Sequence, residues 1–379
     1  MDFTVSEELT SVKDLARQIF TDFTADDKLR AIEQQEQRFD PGLWQAMAEA
    51  GLLGLDIEQA HGGTDLGFFA LSALCEEAGR TVAPAPVVPV LVSAAATLRR
   101  YGRARQKEAW LTGIATGELQ LSAALEEYAN DDPARPAASA AQTDSGYAIS
   151  GTKICVSRAT TARRILLSAR CGEELVVALV DPEAAGITLT PQTVTSGETL
   201  HQLAMNAVQV PDEDIVAVGN KALRAMHWAQ QATRTALCAM TVGLTDKMMR
   251  MTGSYTTERE QFGRPIATFQ AVSHRVADCY IDVECLRLVT EQAASLLDQG
   301  RPAGEATLIA KIWCGDTAHR VSQASQHCHG GTGVDRDYPL HRYCLQARQI
   351  EMSLGNSARL SAQLGSRIAA EYLATASQS

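Results

Sequence analysis

The chain has 379 residues, of which 45% are hydrophobic and 21% charged. That is enough apolar material for two or three packed domains, and it excludes a disordered chain. The formal net charge of −11 argues against nucleic acid or an anionic membrane surface as the main partner. Nine cysteines stand singly, with no CxxC pair, a pattern that suits reduced thiols in a cytoplasmic protein better than a disulfide framework. No cysteine–histidine spacing of the zinc type occurs, so no metal is expected. The opening MDFTVSEELTSV is acidic and polar, unlike a secretory leader, and no run of about 18 apolar residues is present to span a membrane.

Residues 1–118 read as helical. Ser6 can cap a helix carrying Leu9, Val12, Leu15 and Ile19, spaced by three and four. Asp40-Pro41 starts another helix, whose stripe includes Trp44 and Met47 and whose end is Gly51. Leu71 to Ala78 is helical, and Ala83-Pro84-Ala85-Pro86 breaks the chain. Residues 119–218 change period. Leu119–Ala124, Tyr147–Ser150, Lys153–Ser157, Arg164–Ser168, Glu174–Val180, Ile187–Thr190 and Ala207–Val210 read as short strands of a small antiparallel barrel or sandwich. Asn130 to Ala141, rich in Pro, Ala and Asp, reads as an exposed loop. Residues 219–379 return to the helical period. Met226, Ala229, Ala232, Ala236, Met240 and Gly243 form one stripe, and their small side chains suit close helix packing. Phe269 to Leu286, Glu305 to Gln326 and Gln349 to Tyr372 complete a four-helix bundle. The expected fold class is α+β: an N-terminal helical domain, a middle small β-barrel and a C-terminal four-helix bundle.

Three stretches carry more than architecture. Glu258 to Gln270 reads ERE-QFGRPIATFQ; His329-Gly330-Gly331-Thr332-Gly333 bunches three glycines; Asp337 to Arg342 reads DYPLHR. Together with the helix–strand–helix order, they resemble the acyl-CoA dehydrogenase family over the whole chain. The resemblance implies α,β-desaturation of an acyl-CoA thioester: a carboxylate removes the α proton and a hydride passes from Cβ to flavin N5. It implies FAD held between subunits, with Arg259 and Phe262 on the diphosphate and adenine side of a neighbour's cofactor. Arginine suits a diphosphate because its planar fork is always charged. Gln270 matches a position beside the same cofactor edge, and Gly330, Gly331 and Gly333 match the turn that lets backbone approach a dinucleotide.

The departures are as informative. His327 stands at the family's usual glutamine before the paired glycines, and an imidazole lacks the amide's paired donor and acceptor. Leu125 to Asn130 replaces a threonine- and glycine-bearing flavin loop, and its carboxylates Glu126 and Glu127 suit a reduced flavin poorly; they read as a solvated loop. Cys155 replaces a tryptophan that lies against the flavin, while Ser157 keeps a hydroxyl where the family often has threonine. The general base is missing from both family positions: Leu354 occupies one and Thr233 the other. Arg234, next to Thr233, matches and is expected to hold the thioester region or pair with an acid. Glu351 is the alternative base, about one helical turn or roughly 5 Å from Leu354, although a surface acid is its plainer reading.

The leading expectation is a subunit of a heteromeric, α2β2 acyl-CoA dehydrogenase acting on a bulky acyl-CoA such as a steroid side-chain CoA ester. A homologous partner would complete the site, and an electron-transfer flavoprotein would accept the electrons. The alternatives are a self-sufficient dehydrogenase using Glu351 and a non-catalytic protein that binds acyl-CoA or a partner chain.

Overall fold

The computed structural model describes residues 6–376; Met1–Val5, the start of the acidic opening stretch, lie outside them. Helix α1 (Glu7–Phe23) begins where Ser6 Oγ accepts the Leu9 N–H at 3.2 Å. Its buried residues are Val12, Ala16 and Phe20, whereas Leu15 is 40% exposed, so the packed stripe is rotated from the predicted one. Helix α2 (Asp26–Glu33) leads to α3 (Pro41–Glu49), where Asp40 accepts from the N–H of Gly42 and Leu43 at 2.8 and 3.1 Å and Pro41 takes the first helical position. Helix α4 (Gly67–Arg80) precedes an element the sequence did not reveal, a π-helical run over Val87–Ala96 that continues into α5 (Thr97–Tyr101). The run is apolar on every side and buried almost throughout, so it shows no amphipathic period. Helix α6 (Ala104–Ala115) closes the segment.

Eight strands follow: β1 (Leu121–Ala124), β2 (Ser139–Thr143), β3 (Gly146–Ser157), β4 (Arg164–Cys171), β5 (Glu174–Val180), β6 (Ile187–Gln192), β7 (Leu200–Pro211) and β8 (Ile215–Val218). Their order is β6-β7-β3-β2-β4-β5-β8, with β1 added beside β4. Most pairs are antiparallel, but β1 and β2 both run parallel to β4, with Ala123 opposite Leu166 and Ser139 opposite Arg170. The two predicted strands at 147–150 and 153–157 are one strand, β3, paired to β7 and bulged between Lys153 and Val156. The predicted exposed loop at 130–141 is corrected as well. Ala134 and Ala138 are buried, and β2 begins at Ser139, because short alanine side chains can pack closely under the sheet.

The C-terminal region holds α7 (Gly219–Glu258), a hairpin of β9 (Glu260–Gln261) and β10 (Arg264–Pro265), α8 (Gln270–Asp298), α9 (Gly304–His329), α10 (Leu340–Met352) and α11 (Ser357–Ala376). The predicted helix over 349–372 is two helices, broken at Ser353–Asn356. The small-residue stripe does bring backbones together. A Cβ on Gly243 would lie 1.9 Å from the Glu76 carbonyl oxygen, and one on Gly79 2.1 Å from that of Met240, so α4 and α7 touch main chain to main chain. Beside that contact Glu76 accepts from Lys13 and Arg80 at 2.9 Å each and from Arg287, tying α1, α4 and α8 together. None of the described helices is long and apolar enough to cross a membrane.

Candidate active site

A cavity of about 750 Å³ opens where the helical domain, the sheet and the bundle meet. Both positions expected to carry the base line it: Thr233 from α7 and Leu354 from the break between α10 and α11. They lie far apart in sequence and converge here through the fold. Neither brings a carboxylate. Thr233 Oγ1 is 2.9 Å from Ser93 Oγ on the π-helical run, a buried hydroxyl pair.

The break at Leu354 is closed by its own neighbours. Helix α10 stops at Met352, Ser353 is extended, and Leu354 and Gly355 take φ of 51° and 98°. A left-handed leucine costs roughly 1–2 kcal/mol and persists only where its surroundings hold it. Lys311, fully buried, donates to the carbonyls of Ile350 at 2.9 Å and of Glu351 and Gly355 at 3.3 Å each. Arg234 Nε donates to the Leu354 carbonyl at 2.9 Å, and its Nη2 reaches Asp131 Oδ2 at 3.4 Å. Arg234 therefore pairs with an acid and braces the turn. Glu126 Oε2 accepts the Leu354 N–H at 3.1 Å. Because the helix ends before Leu354, Glu351 does not share a helical face with it. Glu351 pairs with Arg348 at 2.5 Å and is absent from the cavity wall, which removes the geometric basis for a base there.

Glu126 and Glu127 are not a solvated loop. Glu127 is 6% exposed; it accepts from Lys153 Nζ at 2.7 Å and from the N–H groups of Ala137 and Ala138 at 2.5 and 3.1 Å. Burial works against its charge, but Lys153 and these N–H groups outweigh burial and hold the carboxyl below its ordinary range. Burial likewise lowers the Lys153 ammonium. Glu126 faces the cavity, and burial pushes its carboxyl up. The missed signal lies in the strand: Leu121 to Ala124 leads straight into Leu125-Glu126-Glu127, and Ile154 N donates to the Glu126 carbonyl at 2.9 Å.

The positions expected to meet a flavin in this cleft are already engaged. Ser157 Oγ donates to Glu198 Oε1 at 3.2 Å, and the Cys155 N–H donates to Gln192 Oε1 at 2.7 Å. Cys155 itself takes φ of 56° at the bulge of β3. The segment carrying Glu198 lines the cavity and is tied to its other walls: Arg38 donates to the Ser196 carbonyl at 2.8 Å, Thr199 Oγ1 to the Glu36 carbonyl at 2.7 Å, and Thr195 Oγ1 to Gln349 at 3.2 Å.

The remaining predicted residues gather elsewhere, at one end of the bundle. Arg259 caps α7, is exposed and has no side-chain partner among the described residues. Phe262, in the β9–β10 turn, is 92% exposed at φ 55°, its ring edge-on to Phe269 at 6.0 Å. Gln270 opens α8 and is exposed. Tyr255, one turn before Arg259, stacks on His329 with ring centroids 4.3 Å apart, which brings the end of α9 to the same rim. There His327 Nδ1 lies 2.7 Å from Arg275 Nη1. Gly330 takes φ of 60° with open space around its missing Cβ, and Gly331 is open too. Gly333 is different, since a Cβ there would meet the Gln326 carbonyl at 2.9 Å. The chain's own packing thus demands Gly333 but not Gly331.

Comparison with known proteins shows the family. The acyl-CoA dehydrogenase N-terminal domain family matches residues 6–118, and the acyl-CoA dehydrogenase C-terminal domain family matches residues 220–369. The acyl-CoA dehydrogenase FadE27 of Mycobacterium tuberculosis is 31% identical over 377 residues, covering 97% of this chain and 99% of the relative. The chain belongs to the acyl-CoA dehydrogenase family. It is an oxidoreductase of the family's fold, with FAD as cofactor. Among solved structures, a variant of the Tcur3481–Tcur3483 steroid acyl-CoA dehydrogenase is similar at 41% identity and a TM-score of 0.91, covering 98% of this chain and 100% of that one. The ChsE4–ChsE5 complex from Mycobacterium tuberculosis is similar at 31% identity with the same TM-score, covering 97% and 99%. For an acyl-CoA dehydrogenase the two regions fit FAD unequally. The rim offers an unpaired guanidinium, an exposed ring and open glycines, which suit a diphosphate and an adenine. At the positions expected to meet the isoalloxazine, the cleft instead brings the carboxylates Glu126 and Glu198 and donors from Ser157 and Cys155 that are already bonded, a poor fit for that ring.

Proposed function

We propose that this chain is the base-less subunit of a heteromeric acyl-CoA dehydrogenase, completed by a homologous chain that brings the catalytic carboxylate and the flavin cleft. The observation that carries this reading is the division just described. The inward cleft has Leu354 and Thr233 in place of a base, and its flavin-facing donors are bonded to Glu198 and Gln192. The outward rim leaves Arg259 and Gln270 exposed, Phe262 92% exposed and the space at Gly330 and Gly331 open among the described residues, as a neighbour's cofactor would need. In that assembly Arg259 holds the diphosphate and Phe262 lies beside the adenine. FAD, when bound, accepts the hydride of the desaturation. The steroid enzyme among the similar structures favours a bulky acyl-CoA, such as a steroid side-chain CoA ester, as the substrate. An electron-transfer flavoprotein is the fitting electron acceptor for such a dehydrogenase.

The test is purification of this chain alone and together with candidate homologous subunits, reading subunit ratio, flavin per chain and dehydrogenation. The expected outcome is a colourless, inactive single species and a yellow, active mixed one with fewer flavins than chains. An active yellow homomer of this chain alone would sink the proposal.

A further inference from the structure

The rim carries more positive charge than Arg259 alone. Arg264 stands exposed on the β9–β10 hairpin, its guanidinium 4.2 Å from the centre of the Phe269 ring, and Arg275 stands exposed in the second turn of α8. None of the three has a carboxylate partner among the described residues, although Glu258 and Glu260 flank Arg259 in sequence. In a chain whose formal net charge is −11, guanidinium groups left unanswered at one end of the bundle mark a surface suited to an anion from outside.

Arg275 is the one of the three with a hydrogen-bond partner, and that partner is His327. Arg275 Nη1 lies 2.7 Å from His327 Nδ1. A guanidinium has donors only and keeps its charge. His327 Nδ1 must therefore be the acceptor, which leaves the imidazole neutral with its proton on Nε2. His327 is exposed, and Nε2 has no partner among the described residues. The pair thus presents a fixed N–H beside a guanidinium, about one turn of α9 before the open glycines Gly330 and Gly331. An imidazole alone could place its proton on either nitrogen; Arg275 settles which one carries it.

We propose that Arg275 and His327 form one composite anion-binding element, which meets a phosphate of the neighbour's cofactor beside Arg259 and stands in for the amide usual at position 327. The inference rests on the reading of the rim given above. On this assignment the histidine is a working donor, because the acceptor side that an amide would share is closed by Arg275. Arg275 adds what neither an amide nor an imidazole supplies, a permanent charge whose planar fork fits phosphate oxygens.

The test is the FAD affinity of the complex with the partner chain, read from the fluorescence of flavin released on dilution. Arg275→Met should weaken it about tenfold, the scale of one hydrogen bond to a charged group. Arg275→Lys, which keeps the charge without the fork, should weaken it less. His327→Leu should also lose affinity, whereas His327→Gln, which keeps a donor, should restore it. The thermal midpoint of the isolated chain should not move in any of these variants, since both side chains are exposed. Native affinity in both Arg275→Met and His327→Leu would overturn the inference, as would equal losses in His327→Gln and His327→Leu, or a fall in midpoint that tracks the fall in affinity. Arg259→Ala separates the two levels. If it weakens FAD binding while the Arg275 and His327 variants do not, this inference alone fails; if it too has no effect, or if the complex binds no flavin, the reading of the rim fails and this inference with it.

Discussion

Leu354 and Phe262 are both non-glycine residues in the left-handed region, at φ of 51° and 55°, and they mark the two halves of this chain. Leu354 is 3% exposed, and the main-chain groups around it are held by Lys311, Arg234 and Glu126. Phe262 is 92% exposed on a two-residue-strand hairpin, its ring touching only Phe269 among the described aromatic groups. The cleft spends its special geometry on the chain's own stability. The rim keeps the same kind of geometry with nothing of its own to gain, and that is the arrangement a surface needs when the molecule it meets comes from outside.

The most damaging change to this contrast should be Arg259→Ala, studied in the complex with the partner chain. A charge-assisted bond to a diphosphate contributes roughly 1.5–3 kcal/mol, so FAD affinity should fall about 10- to 100-fold and activity with it. The thermal midpoint of the isolated chain should not move, because Arg259 has no partner among the described residues. Retained flavin in Arg259→Ala, joined to loss of flavin on altering Glu198, would reverse the roles of rim and cleft.

A change to the frame between them should act on stability alone. Burial works against the Glu76 charge, but Arg287 and Lys13 outweigh it and lower its carboxyl to about 2. Relative to an ordinary glutamate that is about 3 kcal/mol, present above the unfolded pKa near 4.5 and lost as pH falls toward 2. Glu76→Gln strands Lys13 and leaves Arg287 with Glu284 alone, while Arg80 keeps Glu77 and Asp246, so a loss of about 3 kcal/mol is expected in urea unfolding at pH 7. The gap to the native chain should narrow at pH 3. Flavin stoichiometry of the complex should stay the same, since neither the rim nor the cleft contains Glu76.

The rim was legible in the sequence because its parts are contiguous. Arg259, at the end of α7, lies just before the hairpin that carries Phe262, and the glycines of 330–333 need only one turn. The cleft was half legible. The missing carboxylate at Leu354 and Thr233 could be read from either position, but not the groups that fill the surroundings. Glu126 reaches Leu354 across 228 residues, and Glu198 reaches Ser157 across 41; such partners follow from the sheet's order and bulges, which no local pattern encodes. Two adjacent glutamates beside a tyrosine look solvated, and only the arrival of Lys153 from β3 makes one of them a buried ion pair. The break at Ser353 escaped for a similar reason. Leucine is a helix former, and its left-handed backbone here is imposed by Lys311 and Arg234 from other helices.

The smallest expected effect is also the most discriminating. Glu126→Gln keeps an oxygen to accept the Leu354 N–H and removes only the charge. Burial raises the Glu126 carboxyl in the folded chain. The folded state therefore holds its proton more tightly than the unfolded one, and stability declines as pH rises through the interval between the two pKa values. Above that interval the ionised carboxylate is a net cost, so the glutamine variant should melt slightly higher at pH 7 and lose this part of the pH dependence. Activity of the complex should stay within about twofold, because a residue that only braces Leu354 does not touch the reacting atoms. A general base contributes roughly 10²–10⁴-fold. A fall of that size in Glu126→Gln, with flavin still bound, would make Glu126 the base. It would then be the cleft, and not the partner's site across the rim, that carries out the chemistry.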